Sequence, residues 1–110
     1  MLKKPNESIL QGVDRIVPTD RNESILHEAD RIVTTDRNED YGHPLDDFSK
    51  VAALWSSAFG WEVAAEDVGL AMVLLKVSRQ VHRGKRDNLV DIAGYAKTLD
   101  MIAERRNESL

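Results

Sequence analysis

Apolar residues in this chain recur at spacings of three and four and nowhere alternate with period two over a useful length, which is the signature of amphipathic helices. Ile25, Leu26, Ala29, Ile32 and Val33 form one stripe, on a helix over 22–34 that Asn22 can cap. The polar run 35–43 reads as a loop, punctuated by Gly42 and Pro44. From Pro44 a second helix buries Leu45, Phe48, Ala52, Trp55 and Phe59 and ends near Gly60, with Asp47, Val51, Leu54 and Ala58 on its flank. A third, over 65–82, is almost unbroken in apolar character from Val68 to Leu75 and is expected to be the central, buried helix; Gly84 closes it. The last helix, over 87–105, is expected to bury Leu89, Ile92, Ala96, Leu99 and Ala103. That leaves a second stripe of Val90, Gly94 and Met101 for contact with another subunit. The expected fold is all-α: a compact helical bundle of about four core helices plus an extra N-terminal helix, assembled as a homo-oligomer, dimer or tetramer.

The extra helix comes from a repeat. Residues 6–21 recur at 22–37 with four differences, a period too short and too seldom repeated for a solenoid. Gly12 and Pro18 weaken the first copy as a helix, so 22–34 is placed in the core and 6–17 outside it. The resulting organisation is a duplicated N-terminal extension over 1–21, one all-α domain over 22–106 and a tail over 107–110.

Composition narrows the chemistry. With 110 residues and no cysteine, the chain has no disulfide, thiol nucleophile or thiolate-bound zinc, as suits a reducing compartment. No apolar run approaches the roughly 20 residues of a membrane span, so the expectation is a soluble protein of the cytoplasm with no membrane partner. The net charge of −4 argues against a nonspecific nucleic-acid binder, but it is unevenly spread. Residues 76–106 hold eight Lys and Arg against four acids, so a basic segment and an acidic remainder share one small domain.

Within that basic segment lies a polar cluster. Lys76 and Arg79, three residues apart, sit on the helix expected to be buried, where a cation needs a partner. Asp87 and Asp91 are one turn apart on the last helix, with Asn88 and Tyr95 beside them. With Asp47 from a facing helix, Asp87 and Asp91 could hold Mg²⁺, while Lys76 and Arg79 balance phosphate charge. Tyr41 and His43, just before a helix N-terminus, are further candidates for contact with a base and an anion. The alternative is an internal ion-pair network in which Asp91 and Asp47 neutralise Lys76 and Arg79.

Arg37 through Pro44, with its Asp40-Tyr41-Gly42-His43-Pro44 run, together with Trp55, Glu66-Asp67-Val68, Leu74 to Arg79 and Asp87 to Ala96, resembles an uncharacterised family of small actinobacteriophage proteins over roughly residues 22–106. The Tyr-Gly loop and the Asp-Asn-x-x-Asp-x-x-x-Tyr helix are similar to the nucleotide-modification-associated domain of phages. More distantly, the last helix is similar to the second metal motif of MazG-like all-α nucleoside triphosphate pyrophosphohydrolases, with Asp87, Asn88 and Asp91 at its three acidic positions. The first MazG-like motif is matched by Asp46-Asp47-Phe48-Ser49-Lys50, where a lysine replaces the third acid. These likenesses imply a phage protein of the host cytoplasm that handles a nucleotide or cyclic nucleotide, with three outcomes open: Mg²⁺-dependent pyrophosphohydrolysis, sequestration of a nucleotide signal without turnover, or a structural helical module.

Overall fold

The computed structural model describes residues 23–108, and every regular element among them is helical. α1 (Ile25–Arg31) runs through a π-helical segment (Ile32–Asp36) into α2 (Arg37–Tyr41); α3 (Pro44–Phe59), α4 (Ala65–His82) and α5 (Arg86–Glu108) follow. The expected helix over 6–17 lies outside the described residues. Among those described, no helix is long and apolar enough to cross a membrane.

Helix ends follow local chemistry. α1 begins at Ile25 rather than at Asn22 because Ser24 is the cap, its hydroxyl accepting from the His27 amide at 3.1 Å. α3 opens with Pro44 in its first turn, where a missing N–H costs nothing, and His43 Nδ1 accepts from the Leu45 amide at 3.0 Å. Gly60, at φ 80°, supplies the left-handed residue that ends α3. The segment expected as a loop is instead helical as far as Tyr41. Thr34 and Thr35 return their hydroxyls to the carbonyls of Asp30 and Arg31, and the helix widens there into a π turn instead of stopping.

The central helix is α5, not α4. It packs against α1, α3 and α4, and its buried residues are Asn88, Val90, Gly94, Tyr95, Thr98 and Ile102. The expected face is thus rotated: Ala96 and Ala103 are exposed, while Val90 and Gly94, reserved above for a second subunit, are buried beside Ala29 of α1 and Ile32 and Val33 of the π-helical segment of the same chain. Small residues permit that approach, since a Cβ on Gly94 would lie 3.4 Å from the Val33 side chain. On the other side Gly69 of α4 lies against Leu99, whose Cδ2 would be 2.6 Å from an added Cβ. Leu26 and Phe59, expected in the core, are 74% and 58% exposed.

Polar contacts lock these helices together. The Arg86 guanidinium meets the Glu28 carboxylate, both nearly buried, and its Nη2 donates to the Glu23 carbonyl at 3.0 Å. At the turn into α5, buried Asn88 donates to Gln80 Oε1 at 3.2 Å and to the Arg83 carbonyl at 3.3 Å. Arg106 clips the far end of α5 to Glu66 at the start of α4, with Nη2 to Oε1 at 2.9 Å, and those hydrogen bonds hold the Glu66 carboxyl below its usual range.

Three outcomes follow for purified protein under denaturant or heat. Arg86→Met should cost on the order of 3 kcal/mol by leaving the Glu28 carboxylate without that guanidinium, and the double variant with Glu28→Leu should recover most of it. Gly94→Ala should stabilise by up to about 1 kcal/mol through helix propensity, because the space is there, whereas Gly69→Val should cost about 2 kcal/mol by overpacking against Leu99. The Glu66 clip contributes above that group's ordinary value and is lost as pH falls through the lowered one. Arg106→Gln should therefore flatten the acid limb of a stability–pH curve below about pH 4, modestly, since both groups are substantially exposed.

Candidate functional site

A cleft of about 310 Å³ opens between α2, α3, α4 and α5. The π turn carries the chain into α2 so that Arg37 and Tyr41, four residues apart, both border this cleft. Gly42, at φ 79°, ends α2, and α3 contributes Asp47, Phe48, Val51 and Trp55 at helical spacing. Val68 and Met72 of α4 and Tyr95 of α5 complete the lining.

Its walls are mainly apolar and aromatic. Phe48 and Tyr95, both buried, lie with ring centroids 6.4 Å apart in a tilted arrangement. The Arg37 guanidinium carbon sits 5.2 Å from the Tyr95 centroid, within cation–π range, which fixes a positive charge beside the aromatic wall. Asp47, half-buried on α3, is the acid of the lining. Tyr41 stands at the edge, 61% exposed. The cleft therefore offers flat apolar surface, one cation and one carboxylate, a combination suited to a planar ligand that carries both an anionic group and a hydrogen-bond donor.

The residues expected to form the site are divided by the structure. Tyr41, Asp47 and Tyr95 do meet in the cleft. Lys76 and Asp91 are brought together as a pair at 2.8 Å joining α4 to α5, which is the ion-pair arrangement rather than an open phosphate site. Arg79 is exposed and is not on the buried face of α4, because that face is set by Ala65, Val68, Gly69 and Gln80. Asp87 is exposed in the first turn of α5, and Asn88 is spent on the α4–α5 turn. His43 serves as a helix cap. Among the described residues no three His, Asp or Glu side chains converge as a metal-holding group.

Arg37 and Trp55 belong to the cleft and were not among the expected site residues. For Arg37 the signal is its spacing of four from Tyr41, which has no meaning while the segment is read as a loop. Trp55 falls within an apolar stripe and looks like core; it lies at the stripe's edge, where α3 turns toward the cleft.

Comparison with known proteins places these helices. The chain is 40% identical over 64 residues to the Gene 55 protein of Mycobacterium phage D29, covering 57% of this chain and 42% of that protein. It is likewise 40% identical over 63 residues to the Gene 55 protein of Mycobacterium phage L5, covering 56% of this chain and 40% of that one. The chain thus spans about two fifths of the length of the curated relatives it matches. No solved structure matches it. A family model matches residues 24–103, a stretch that contains every cleft residue from Arg37 to Tyr95, and the chain belongs to the family described as "Domain of unknown function (DUF6378)".

Proposed function

We propose that this protein binds a phosphorylated nucleotide, with the base in the aromatic cleft and a phosphate at Arg37. The observation that carries this reading is the placement of Arg37 over Tyr95 at a cleft lined by Phe48 and Trp55, with Asp47 as its acid. Aromatic faces accept any base by stacking, a guanidinium makes bidentate contacts to phosphate, and a carboxylate accepts from an exocyclic amine or ring N–H. The volume lies at the lower end of the range for small-molecule sites, which favours a mononucleotide, cyclic or open, over a dinucleotide.

Binding without turnover is the form of the proposal. Of the acids expected to hold Mg²⁺, Asp47 lines the cleft, Asp91 is engaged by Lys76 and Asp87 is at the surface. A sequestering protein needs only the cleft and its charges.

Titration calorimetry of the full chain against nucleoside mono- and triphosphates and cyclic nucleotides, with and without Mg²⁺, tests this. Arg37→Ala should weaken the bound member of the panel about ten- to hundred-fold, on the order of 1.5–3 kcal/mol for a charge-assisted contact. Trp55→Ala should cost about 1–3 kcal/mol of stacking. Asp87→Asn and Asp91→Asn, outside the cleft, should leave affinity unchanged, with Asp91→Asn lowering the melting temperature through the loss of the Lys76 pair. Loss of affinity in those two variants, or release of pyrophosphate by the wild type, would restore the acidic set as the working site. A wild type that binds nothing in the panel would end the nucleotide reading.

A further inference from the structure

Arg37 and Asp47 line one cleft yet do not neutralise each other. Neither side chain takes part in an ion pair or a hydrogen bond among the described residues, whereas Asp46 and Asp91 lie 4.0 and 2.8 Å from Arg105 and Lys76. Arg37 rests on the Tyr95 ring. Asp47 is half-buried, next to Phe48 and one helical turn before Val51, at the edge of the apolar wall. An ionised carboxylate accepts hydrogen bonds and cannot donate them. Half out of water and with no donor from the described chain, this one calls for a ligand that brings donors of its own.

We propose, resting on the nucleotide reading of the cleft, that Asp47 selects guanine. The Watson–Crick edge of guanine carries two adjacent donors, the ring N–H and the exocyclic amine, and these match the two oxygens of one carboxylate. Adenine and cytosine each set an amine beside a ring-nitrogen lone pair, and uracil flanks its single N–H with two carbonyls. Each of those bases would turn an acceptor toward the carboxylate, a repulsion that guanine escapes. The aromatic wall holds any base by its face, so the choice among bases falls to the group that meets the edge. With its edge at Asp47 and its phosphate at Arg37, a guanine nucleotide satisfies both unpaired charges of the cleft at once.

Titration calorimetry of the full chain with guanosine, inosine, adenosine, cytidine, uridine and xanthosine nucleotides, as monophosphates, triphosphates and cyclic monophosphates, tests the selection. Guanosine should bind at least about tenfold more tightly than adenosine, cytidine or uridine. Inosine, which keeps the ring N–H but lacks the exocyclic amine, should fall about tenfold below guanosine. Asp47→Asn replaces one acceptor by a donor. The variant should lose about ten- to hundredfold for guanosine and prefer xanthosine, whose ring N–H and neighbouring carbonyl match an amide. Arg37→Ala should weaken all the nucleotides together and leave their order unchanged. Should Asp47→Asn fail to fold, the wild-type order of guanosine, inosine and adenosine decides. A wild type that binds adenosine as tightly as guanosine, or a folded Asp47→Asn that keeps the guanosine preference, would overturn the selection and leave nucleotide binding standing. A wild type that binds none of the nucleotides would end both.

Discussion

The architecture depends on one helix being packed from two sides at once. α5 meets α1 and the π-helical segment through Val90 and Gly94, and meets α3 and α4 through Tyr95 and Ile102, so its buried arc covers about half its circumference. Two demands follow. The side toward Val33 is built on a small residue, Gly94, and the buried Thr98 satisfies itself by returning its hydroxyl to the Gly94 carbonyl at 2.9 Å. Any polar group inside the arc must also find a partner, and Asp91 finds Lys76. With α5 at the centre, α4 is an outer helix, and its long apolar run can be buried on one side only.

That geometry also accounts for the cleft. A composite helix that contains a π turn reaches past α1 and brings Arg37 over Tyr95, the residue on which α3 and α5 converge. A regular helix through Thr34 and Thr35 would present Arg37 at a different angle, because a π turn adds a residue and rotates everything after it. The cation in the cleft thus follows directly on the π turn and is held by a ring on the central helix.

How much of this is legible in the chain depends on whether the deciding signal is local. Helices α3, α4 and α5 and the breaks at Gly60 and Gly84 follow from apolar spacing and from Pro44 and Gly60, which act within a turn of themselves. The rotation of α5 is not local. Leu89, Ile92 and Leu99 outweigh Val90 and Gly94 in apolar bulk, yet close approach to α1 rewards small residues, and that preference is invisible until the neighbour is known. The same rotation places Asp87 at the surface and Asp91 beside Lys76, so a spacing that looks like a metal motif becomes an ion pair. Tyr41 and Asp47 are conspicuous as an aromatic and an acid flanking the Gly42 turn, and Tyr95 as an aromatic one turn beyond Asp91 on α5. Arg37 was hidden by a polar, β-branched stretch whose helical state depends on hydroxyls bonding back to the preceding turn.

The second copy of the duplicated segment meets the core through residues that the first copy lacks. The two copies differ at four of sixteen positions, and three of the residues in the second copy have structural roles: Glu28 meets Arg86, Ala29 is 2% exposed, and Thr34 bonds to the Asp30 carbonyl at 2.7 Å. The first copy carries Gly12, Val13 and Pro18 at those places. Set against α5 in the same register, it would offer Arg86 no carboxylate at position 12, add bulk where Ala29 fits, and lack at Pro18 the hydroxyl that shapes the π turn. Losing the partner of a nearly buried guanidinium alone costs on the order of 3 kcal/mol, more than the apolar stripe shared by the two copies can distinguish. A buried ion pair adds little to stability over a well-packed apolar one, but here, together with the fit at Ala29, it would tell apart two segments whose remaining twelve positions are the same.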